Sequence, residues 1–171
     1  MDFNNQIEPY LVLTRDLKFQ EQFIIDAVSQ YLKKKDKNLK IVDLGCGDGL
    51  LIRSLSSKFP YHDFQGFDLS NQLIEIAKSR GNKNNLSYAV KDCRSIKNYK
   101  VDVIIASGIL SIFDDWEFIL KKWMNILYKD GCIFFFGGFN PFDIDVKIKF
   151  RNNFKSDDWQ TGLDLISIET L

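Results

Sequence analysis

Histidine and cysteine, the residues that signal zinc sites and disulfide frameworks, are scarce in this chain of 171 residues. There is a single histidine, His62, and the three cysteines, Cys46, Cys93 and Cys132, are widely separated. Such sites need several of these residues at close spacing. The sequence therefore predicts no metal ion, and it predicts free thiols in a reducing cytoplasm. We expect His62 at the surface, in a loop.

Long apolar runs and an excess of one charge are lacking as well. No apolar stretch approaches the roughly 20 residues that span a bilayer, and the opening residues MDFNNQIEPY do not have the pattern of a secretory signal. Lys plus Arg and Asp plus Glu number 23 each, so no overall field attracts nucleic acid or an anionic membrane. We expect neither as a partner, and we expect a small-molecule substrate instead.

What the chain does contain is a regular alternation of helical and strand patterns. An amphipathic pattern predicts a first helix over 19–32, and later helices are predicted at 50–59, 70–80 and 114–128. Short apolar runs predict strands at 39–44, 63–68, 86–90, 101–107 and 132–138. This order predicts an α/β fold, a doubly wound, Rossmann-like and mostly parallel sheet preceded by an N-terminal amphipathic helix. Between the third and fourth strands a short turn replaces a full helix.

No repeat, linker or low-complexity tract divides the chain, so we predict a single domain over 1–171. Within it we distinguish an N-terminal cap and helix at 1–38 and a ligand-binding core at 39–137. Residues 138–171 form a C-terminal segment that we expect to be an incomplete part of the acceptor side.

Three glycines stand close together after the first predicted strand, in the stretch IVDLGCGDGL at 41–50. In a doubly wound sheet the ligand lies across the carboxyl ends of the strands, where this turn comes nearest to it. Glycine permits positive φ and a close approach of backbone to ligand. The dinucleotide fingerprint G-x-G-x-x-G fails at its last position, which is Leu50. A nicotinamide oxidoreductase is therefore the less favoured alternative.

The glycine stretch VDLGCGDG, together with an acid ending the second strand at Asp68 and another after the third at Asp92, resembles the class I S-adenosylmethionine-dependent methyltransferases. The resemblance covers roughly residues 18–140. It implies the cofactor S-adenosyl-L-methionine and methyl transfer to a small-molecule acceptor by in-line displacement. It also implies a turn beneath the methionine part of the cofactor, with Asp43 near the cofactor amino group; the turn residues are Asp43, Gly45, Cys46, Gly47 and Gly49.

The same resemblance assigns residues to the adenosine part of the cofactor. Asp68 matches the acid that takes both ribose hydroxyls, and a carboxylate has two acceptor oxygens for two neighbouring donors. Leu69 would then lie against the adenine. Asp92 matches the acid that receives the adenine amino group, with Cys93 beside it, and the alternative is that Asp92 is a solvated loop residue.

The acceptor is expected above the end of the fourth strand, where Ser107 and Gly108 match the family segment that passes the sulfonium and the methyl group. Many small-molecule members carry histidine soon afterwards, whereas this chain has Ser-Ile-Phe at 111–113. Asp114 and Asp115 precede a predicted helix and are more simply its N-terminal cap than a catalytic pair. We assign no catalytic base from the sequence.

The family sheet has seven strands, of which five are visible here, and the residues after Gly137 cannot hold a helix and two more strands. Two explanations stay open. The chain is a truncated product of a longer gene, or it is a short member whose fifth-strand edge is covered by a partner chain or by residues 145–150. A cofactor-binding but inactive subunit is accordingly the alternative function. We also expect marginal stability or self-association at that edge.

Overall fold

Short runs of β-branched and aromatic residues form a five-stranded sheet at the centre of the molecule. The structure is a computed structural model, which describes residues 16–81, 83–150, 159–161 and 164–170. All four neighbouring strand pairs are parallel, in the order β3-β2-β1-β4-β5. The strands are β1 (Lys40–Leu44), β2 (Asp63–Asp68), β3 (Leu86–Val90), β4 (Val101–Ser107) and β5 (Leu127–Phe136). The predicted α/β, doubly wound architecture is confirmed.

Four helices cover the two faces of the sheet: α1 (Phe19–Leu32), α2 (Leu50–Lys58), α3 (Asn71–Ser79) and α4 (Trp116–Asn125). The apolar faces of α1, α2 and α3 share one hydrophobic cluster, and α4 packs into a second cluster on the other face. α3 begins at a serine cap, since the Oγ of Ser70 accepts the N–H of Leu73 at 3.3 Å. Residues 91–100 contain turns and no helix, as the sequence predicts.

The boundary between α4 and β5 differs from the sequence prediction, which extends the helix to Tyr128 and begins the strand at Cys132. In the structure α4 ends at Asn125 and β5 begins at Leu127. The register shifts here: Val101 pairs with Leu127, whereas Val103 pairs with Cys132. A bulge over 128–131 therefore lengthens β5, because the pairing of Leu127 with β4 competes with continuation of the helix.

The C-terminal part forms short pairs outside the main sheet. β6 (Phe139–Asn140) pairs in parallel with β9 (Ile166–Ser167), and β7 (Lys149–Phe150) pairs antiparallel with β8 (Gln160–Thr161). Within the described residues β5 pairs only with β4. Residues 145–150 bridge to Leu165 and pair with β8 instead of covering the β5 edge, so that alternative from the sequence is wrong for the described part of the chain.

His62 is buried, and its predicted surface position is wrong. The side chain is 6% exposed, and its Nδ1 accepts the backbone N–H of Leu39 at 3.3 Å. Burial lowers the pKa of the imidazole. Hydrogen bonds hold the loop that carries His62, because the side-chain amide of Asn85 donates to the carbonyls of Ser56, Phe59 and His62. These contacts come from distant parts of the chain, so local polarity does not indicate them.

Candidate functional site

A cleft opens at the carboxyl ends of β1 and β4. β1 lies between β2 and β4, and the chain leaves it toward β2 and returns later to β4 on the other side. Loops that leave in opposite directions open a crevice at such a point, where doubly wound folds bind ligands. The cleft has a volume of about 380 Å³. Six of the eleven predicted site residues line it: Asp43, Gly45, Cys46, Gly47, Ser107 and Gly108.

The turn between β1 and α2 is held open in a conformation that glycine favours. Gly45, Gly47 and Gly49 have φ values of 72°, 54° and 72°, in the left-handed region where other residues are strained. The backbone N–H groups of Gly45 and Cys46 both donate to the carbonyl of Phe67, at 2.7 and 3.0 Å. The turn is therefore anchored to the end of β2.

Close packing is a second reason why Gly45 and Gly49 must be glycine. A Cβ on Gly49 would lie 2.6 Å from both Cε1 and the hydroxyl of Tyr88, and a Cβ on Gly45 would meet the side chain of Ile109. Tyr88 is buried, and burial raises the pKa of its phenol to about 12. The phenol therefore stays neutral, and it donates a hydrogen bond to the carbonyl of Gly49 at 3.4 Å.

Asp43 places a carboxyl group at the inner wall of the cleft. The residue is 2% exposed, and within the described part of the chain its carboxylate accepts no hydrogen bond from another residue. Its pKa is raised well above 3.8, first by burial and then by the negative charges of Asp68 and Glu21. A buried acid without donors is a site that a cationic ligand group would stabilise.

Asp68 connects the end of β2 to the glycine turn. Its Oδ2 accepts the N–H of Gly47 and its Oδ1 accepts the N–H of Ser70, both at 2.9 Å. The carboxylate is half-buried and keeps lone pairs for further donors. The next residue, Leu69, is 53% exposed, so an apolar surface stands open beside this acid.

The other predicted adenosine residues follow β3. Asp92 is gripped by the guanidinium of Arg94, whose Nε and Nη2 donate to it at 2.7–3.0 Å. These hydrogen bonds hold the pKa of Asp92 below its usual value. Cys93 is buried, its carbonyl accepts the indole N–H of Trp123 at 3.0 Å, and burial raises the pKa of its thiol to about 12. The five predicted site residues that do not line the cleft itself are Gly49, Asp68, Leu69, Asp92 and Cys93.

Residues at the start of α1 also line the cleft, and an ion pair stands behind the glycine turn; the sequence reasoning missed both. Lys18, Gln20 and Glu21, at the start of α1, line the cleft opposite β1. Asp48, within the glycine turn, forms an ion pair with Arg80 after α3, and its side chain is 1% exposed. The amphipathic pattern predicts α1, but nothing local indicates that its first turn reaches the carboxyl ends of the strands.

The segment after β4 contains a buried serine where many family members carry histidine. Ser111 is fully buried, and its Oγ accepts the N–H of Gly138 at 3.4 Å. Asp115 stands at the N-cap position of α4, as the sequence predicts, but its side chain makes no capping hydrogen bond. Asp114 lies 4.0 Å from Lys149 of the C-terminal segment. None of these acids faces the cleft.

No helix in the described residues is long and apolar enough to cross a bilayer. In the same ranges no group of three or more histidine, cysteine, aspartate or glutamate residues could hold a metal ion.

The chain is similar in sequence to several known methyltransferases. The chain is 26% identical over 136 residues to malonyl-[acyl-carrier protein] O-methyltransferase of Acetivibrio thermocellus, covering 79% of this chain and 47% of that protein. It is 33% identical over 118 residues to ubiquinone biosynthesis O-methyltransferase of Pelagibacter ubique, covering 67% and 48%. The chain thus spans about half the length of these curated relatives.

A solved structure with the same fold is that of the plantazolicin methyltransferase BpumL in complex with a triazolic desmethylPZN analog and SAH. Its TM-score is 0.61 and its sequence identity is 20%, and the match covers 77% of this chain and 50% of that one. Residues 41–131, more than half of the sequence, match the family described as the methyltransferase domain. The chain therefore belongs to the methyltransferase domain family.

Proposed function

We propose that this chain binds S-adenosyl-L-methionine and transfers its methyl group to a small-molecule acceptor. The observation that carries the proposal is the cleft at the ends of β1 and β4, where a glycine turn in the left-handed conformation meets a buried carboxyl group without donors. The cofactor carries an ammonium group that suits the Asp43 carboxylate. The glycine turn leaves room where side chains would otherwise stand.

Asp68 would hold the ribose of the cofactor, because its oxygens keep free lone pairs and lie beside the turn that would pass under the ligand. Leu69 supplies an exposed apolar surface for the adenine. Asp92 and Cys93 would meet the adenine edge. Because Arg94 already occupies much of the Asp92 carboxylate, the adenine amino group would have to share that acid with the guanidinium.

The cofactor supplies an activated methyl on a sulfonium, and the chain's residues would bind, orient and exclude water. Transfer of this kind is an in-line displacement, so alignment of the two reactants is the main contribution of the protein. Ser107 ends β4 and Gly108 follows it, and both line the cleft together with Gly137 and Gly138 after β5. This small-residue rim would leave space for an acceptor. We assign no general base.

The acceptor atom is proposed to be an oxygen. Both curated relatives reported above are named O-methyltransferases. A carboxylate acceptor needs little help from a base, whereas an alcohol needs one. The cleft offers no histidine, since His62 is buried at the other end of β2, and this favours an acceptor that is already ionised. The free thiols of Cys46, Cys93 and Cys132 fit a cytoplasmic location.

Calorimetry with S-adenosylhomocysteine tests the binding step. We expect saturable binding, and we expect Asp68→Ala to weaken it by about 1.5 to 3 kcal/mol, the range for hydrogen bonds to a charged group. Asp63→Ala is the matched control, because it removes a carboxylate from the other end of the same strand. Unchanged affinity in Asp68→Ala, or no heat from a folded sample, would contradict the proposal. Methyl transfer to a panel of carboxylate and hydroxyl metabolites then tests the acceptor.

A further inference from the structure

A buried ion pair stands behind the glycine turn. Residues 45–47 of the turn line the cleft, whereas Asp48 does not. The side chain of Asp48 is 1% exposed and that of Arg80 is 14% exposed, and the Oδ2 of the acid accepts a hydrogen bond from the Nη1 of the guanidinium. The Oδ1 of Asp48 accepts the N–H of Leu50 at 3.3 Å. The side chain of Asp48 therefore fixes the turn from inside the protein and does not face the ligand site.

Helix α3 is attached to this turn at both of its ends. At its start, Asp68 accepts the N–H of Gly47 through Oδ2 and the N–H of Ser70 through Oδ1, both at 2.9 Å. At its end, the C-cap residue Arg80 pairs with Asp48. Two adjacent residues of the turn are thus held from opposite ends of one helix. The turn, Asp68 and α3 form a closed ring of contacts.

The turn needs such support because it has little stiffness of its own. Three of its five residues, 45–49, are glycines with positive φ, and glycine loses more conformational freedom on folding than any other residue. Another contact from the protein is made by Arg53, whose Nη1 donates to the carbonyl of Asp48 at 3.2 Å. A buried ion pair is costly to desolvate and is weak evidence for stability, but in some proteins buried polar groups specify a single conformation.

We propose that Asp48 and Arg80 are positioning residues, whose ion pair fixes the glycine turn relative to Asp68 and thereby sets the affinity for S-adenosyl-L-methionine. Neither side chain lines the cleft, so both act through the turn. The inference rests on the proposed function, in which the turn and Asp68 hold the same ligand. A turn that is already in place costs the ligand no ordering on binding, whereas a turn without the ion pair has to be ordered by the ligand.

Calorimetry with S-adenosylhomocysteine measures the effect on binding. Arg80→Met keeps a long side chain and removes its charge. We expect it to weaken binding by about tenfold or more, because the carboxylate of Asp48 is left uncompensated behind the turn. Arg80→Lys keeps the charge but not the planar guanidinium, so its affinity should lie between those of Arg80→Met and the unmodified protein. Lys78→Met is the matched control, since it removes an exposed lysine of α3 that pairs with Glu75, and it should change nothing.

A double variant tests whether the two residues act as a pair. Asp48→Asn alone removes the negative charge and should also weaken binding. Asp48→Asn combined with Arg80→Met leaves no uncompensated charge behind the turn, so the double variant should bind no more weakly than Arg80→Met alone. Fold-losses of affinity that multiply in the double variant would show that the two residues act independently, and this would overturn the inference.

Two further measurements separate positioning from a general loss of stability. Asn85→Ala removes an amide that donates to three carbonyls of the loop before β2. It should lower the free energy of unfolding and leave the affinity of the folded protein unchanged. In the protein without ligand, backbone amides of residues 45–50 should exchange hydrogen faster in Arg80→Met than in Asn85→Ala. Equal exchange in the turn of both variants would overturn the inference.

The results on the unmodified protein separate this inference from the proposed function. Binding of S-adenosylhomocysteine with the same affinity in the unmodified protein and in Arg80→Met would overturn the inference alone. Absence of binding by the folded, unmodified protein would overturn the proposed function together with the inference. If Arg80→Met fails to fold, the comparison of Arg80→Lys with Lys78→Met decides the matter by the same two measurements, affinity and exchange in the turn.

Discussion

Two glycines with nearly identical backbone angles have different neighbours. Gly49 and Gly108 have φ values of 72° and 71°, so an alanine at either position meets a similar strain of about 1 to 2 kcal/mol. A Cβ at Gly49 would lie 2.6 Å from the ring of Tyr88, whereas nothing stands within 4 Å of a Cβ at Gly108. The pair therefore separates backbone strain from steric crowding.

We expect Gly49→Ala to lower the free energy of unfolding by about 2 to 5 kcal/mol, because crowding against a buried ring adds about 1 to 3 kcal/mol to the strain. Gly108→Ala should lower the free energy of unfolding only by the backbone strain. Urea unfolding of the two variants without ligand checks this difference. Equal losses would show that the Tyr88 ring moves aside at little cost.

Single residues also show what the sequence could and could not predict. The positions of Gly45, Gly47 and Asp68 follow from local patterns, since a turn after a strand is encoded by neighbours in the chain. The isolation of Asp43 and the contribution of Glu21 depend on where α1 docks, which is a tertiary property. The hydrogen bonds from Arg94 to Asp92 depend on the side-chain conformations of two residues that are two positions apart in the chain. The composition of the sequence does not reveal them.

At the scale of elements, the C-terminal segment is attached by a few buried contacts. Asp164 is 2% exposed, and its Oδ1 accepts the N–H of Ile148 at 3.1 Å. Its own N–H donates to the carbonyl of Ser111 at 2.7 Å. Its Oδ2 is buried without a hydrogen-bond partner. Asp164 thus links Ile148, through its side chain, to Ser111 after β4, through its backbone, although one of its carboxylate oxygens has no partner.

We expect Asp164→Ala to release that segment, because the Ile148 N–H loses its acceptor. Trypsin should then cleave after Lys147 and Lys149, both exposed, several-fold faster than in the unmodified protein. Asp143→Ala, in the same segment, removes an exposed acid and should leave the cleavage rate unchanged. Asp164→Asn keeps an oxygen acceptor, so its cleavage rate should lie between those of Asp164→Ala and the unmodified protein. Equal cleavage in all variants would show that other contacts hold the segment.

Element types are predicted well and element ends less well. Each strand of the sheet arises from a continuous apolar run, and the alternation with helices predicts the parallel arrangement. The end of α4 is misplaced because residues 126–128 continue the helical pattern, while the pairing of Leu127 with Val101 is not visible in the sequence. Long-range hydrogen bonds decide such ends.

At the scale of the whole molecule, the sheet has one edge formed by β5 that is rich in large apolar side chains. Phe134 and Phe136 pack against the cluster beneath α1, and Ile133 and Phe135 pack against the α4 side. All four are only half-buried, and in the described residues β5 has β4 as its single partner. A long strand whose outer edge is unpaired is a template for pairing with another chain.

We therefore expect the 171-residue chain to self-associate through the β5 edge or to be marginally stable as a monomer. At roughly 25 cal/mol per Å², leaving a few hundred Å² of apolar surface uncovered lowers the free energy of unfolding by several kcal/mol. This loss is comparable to the whole stability of a small domain. Sedimentation and thermal melting over a range of protein concentrations measure both outcomes. Association should raise the melting temperature with concentration, because the associated state is favoured by mass action.

A charge on the edge distinguishes this surface from other exposed apolar residues. Phe134→Lys places a lysine on the strand, the device by which edge strands avoid pairing. It should give a monomer of lower stability, since Phe134 also contacts the ring of Tyr31. Met124→Lys changes an apolar residue of α4 that is 59% exposed and should leave association unaltered. A compact monomer that melts at about 45–65 °C, independently of concentration, would show that β5 needs no neighbour.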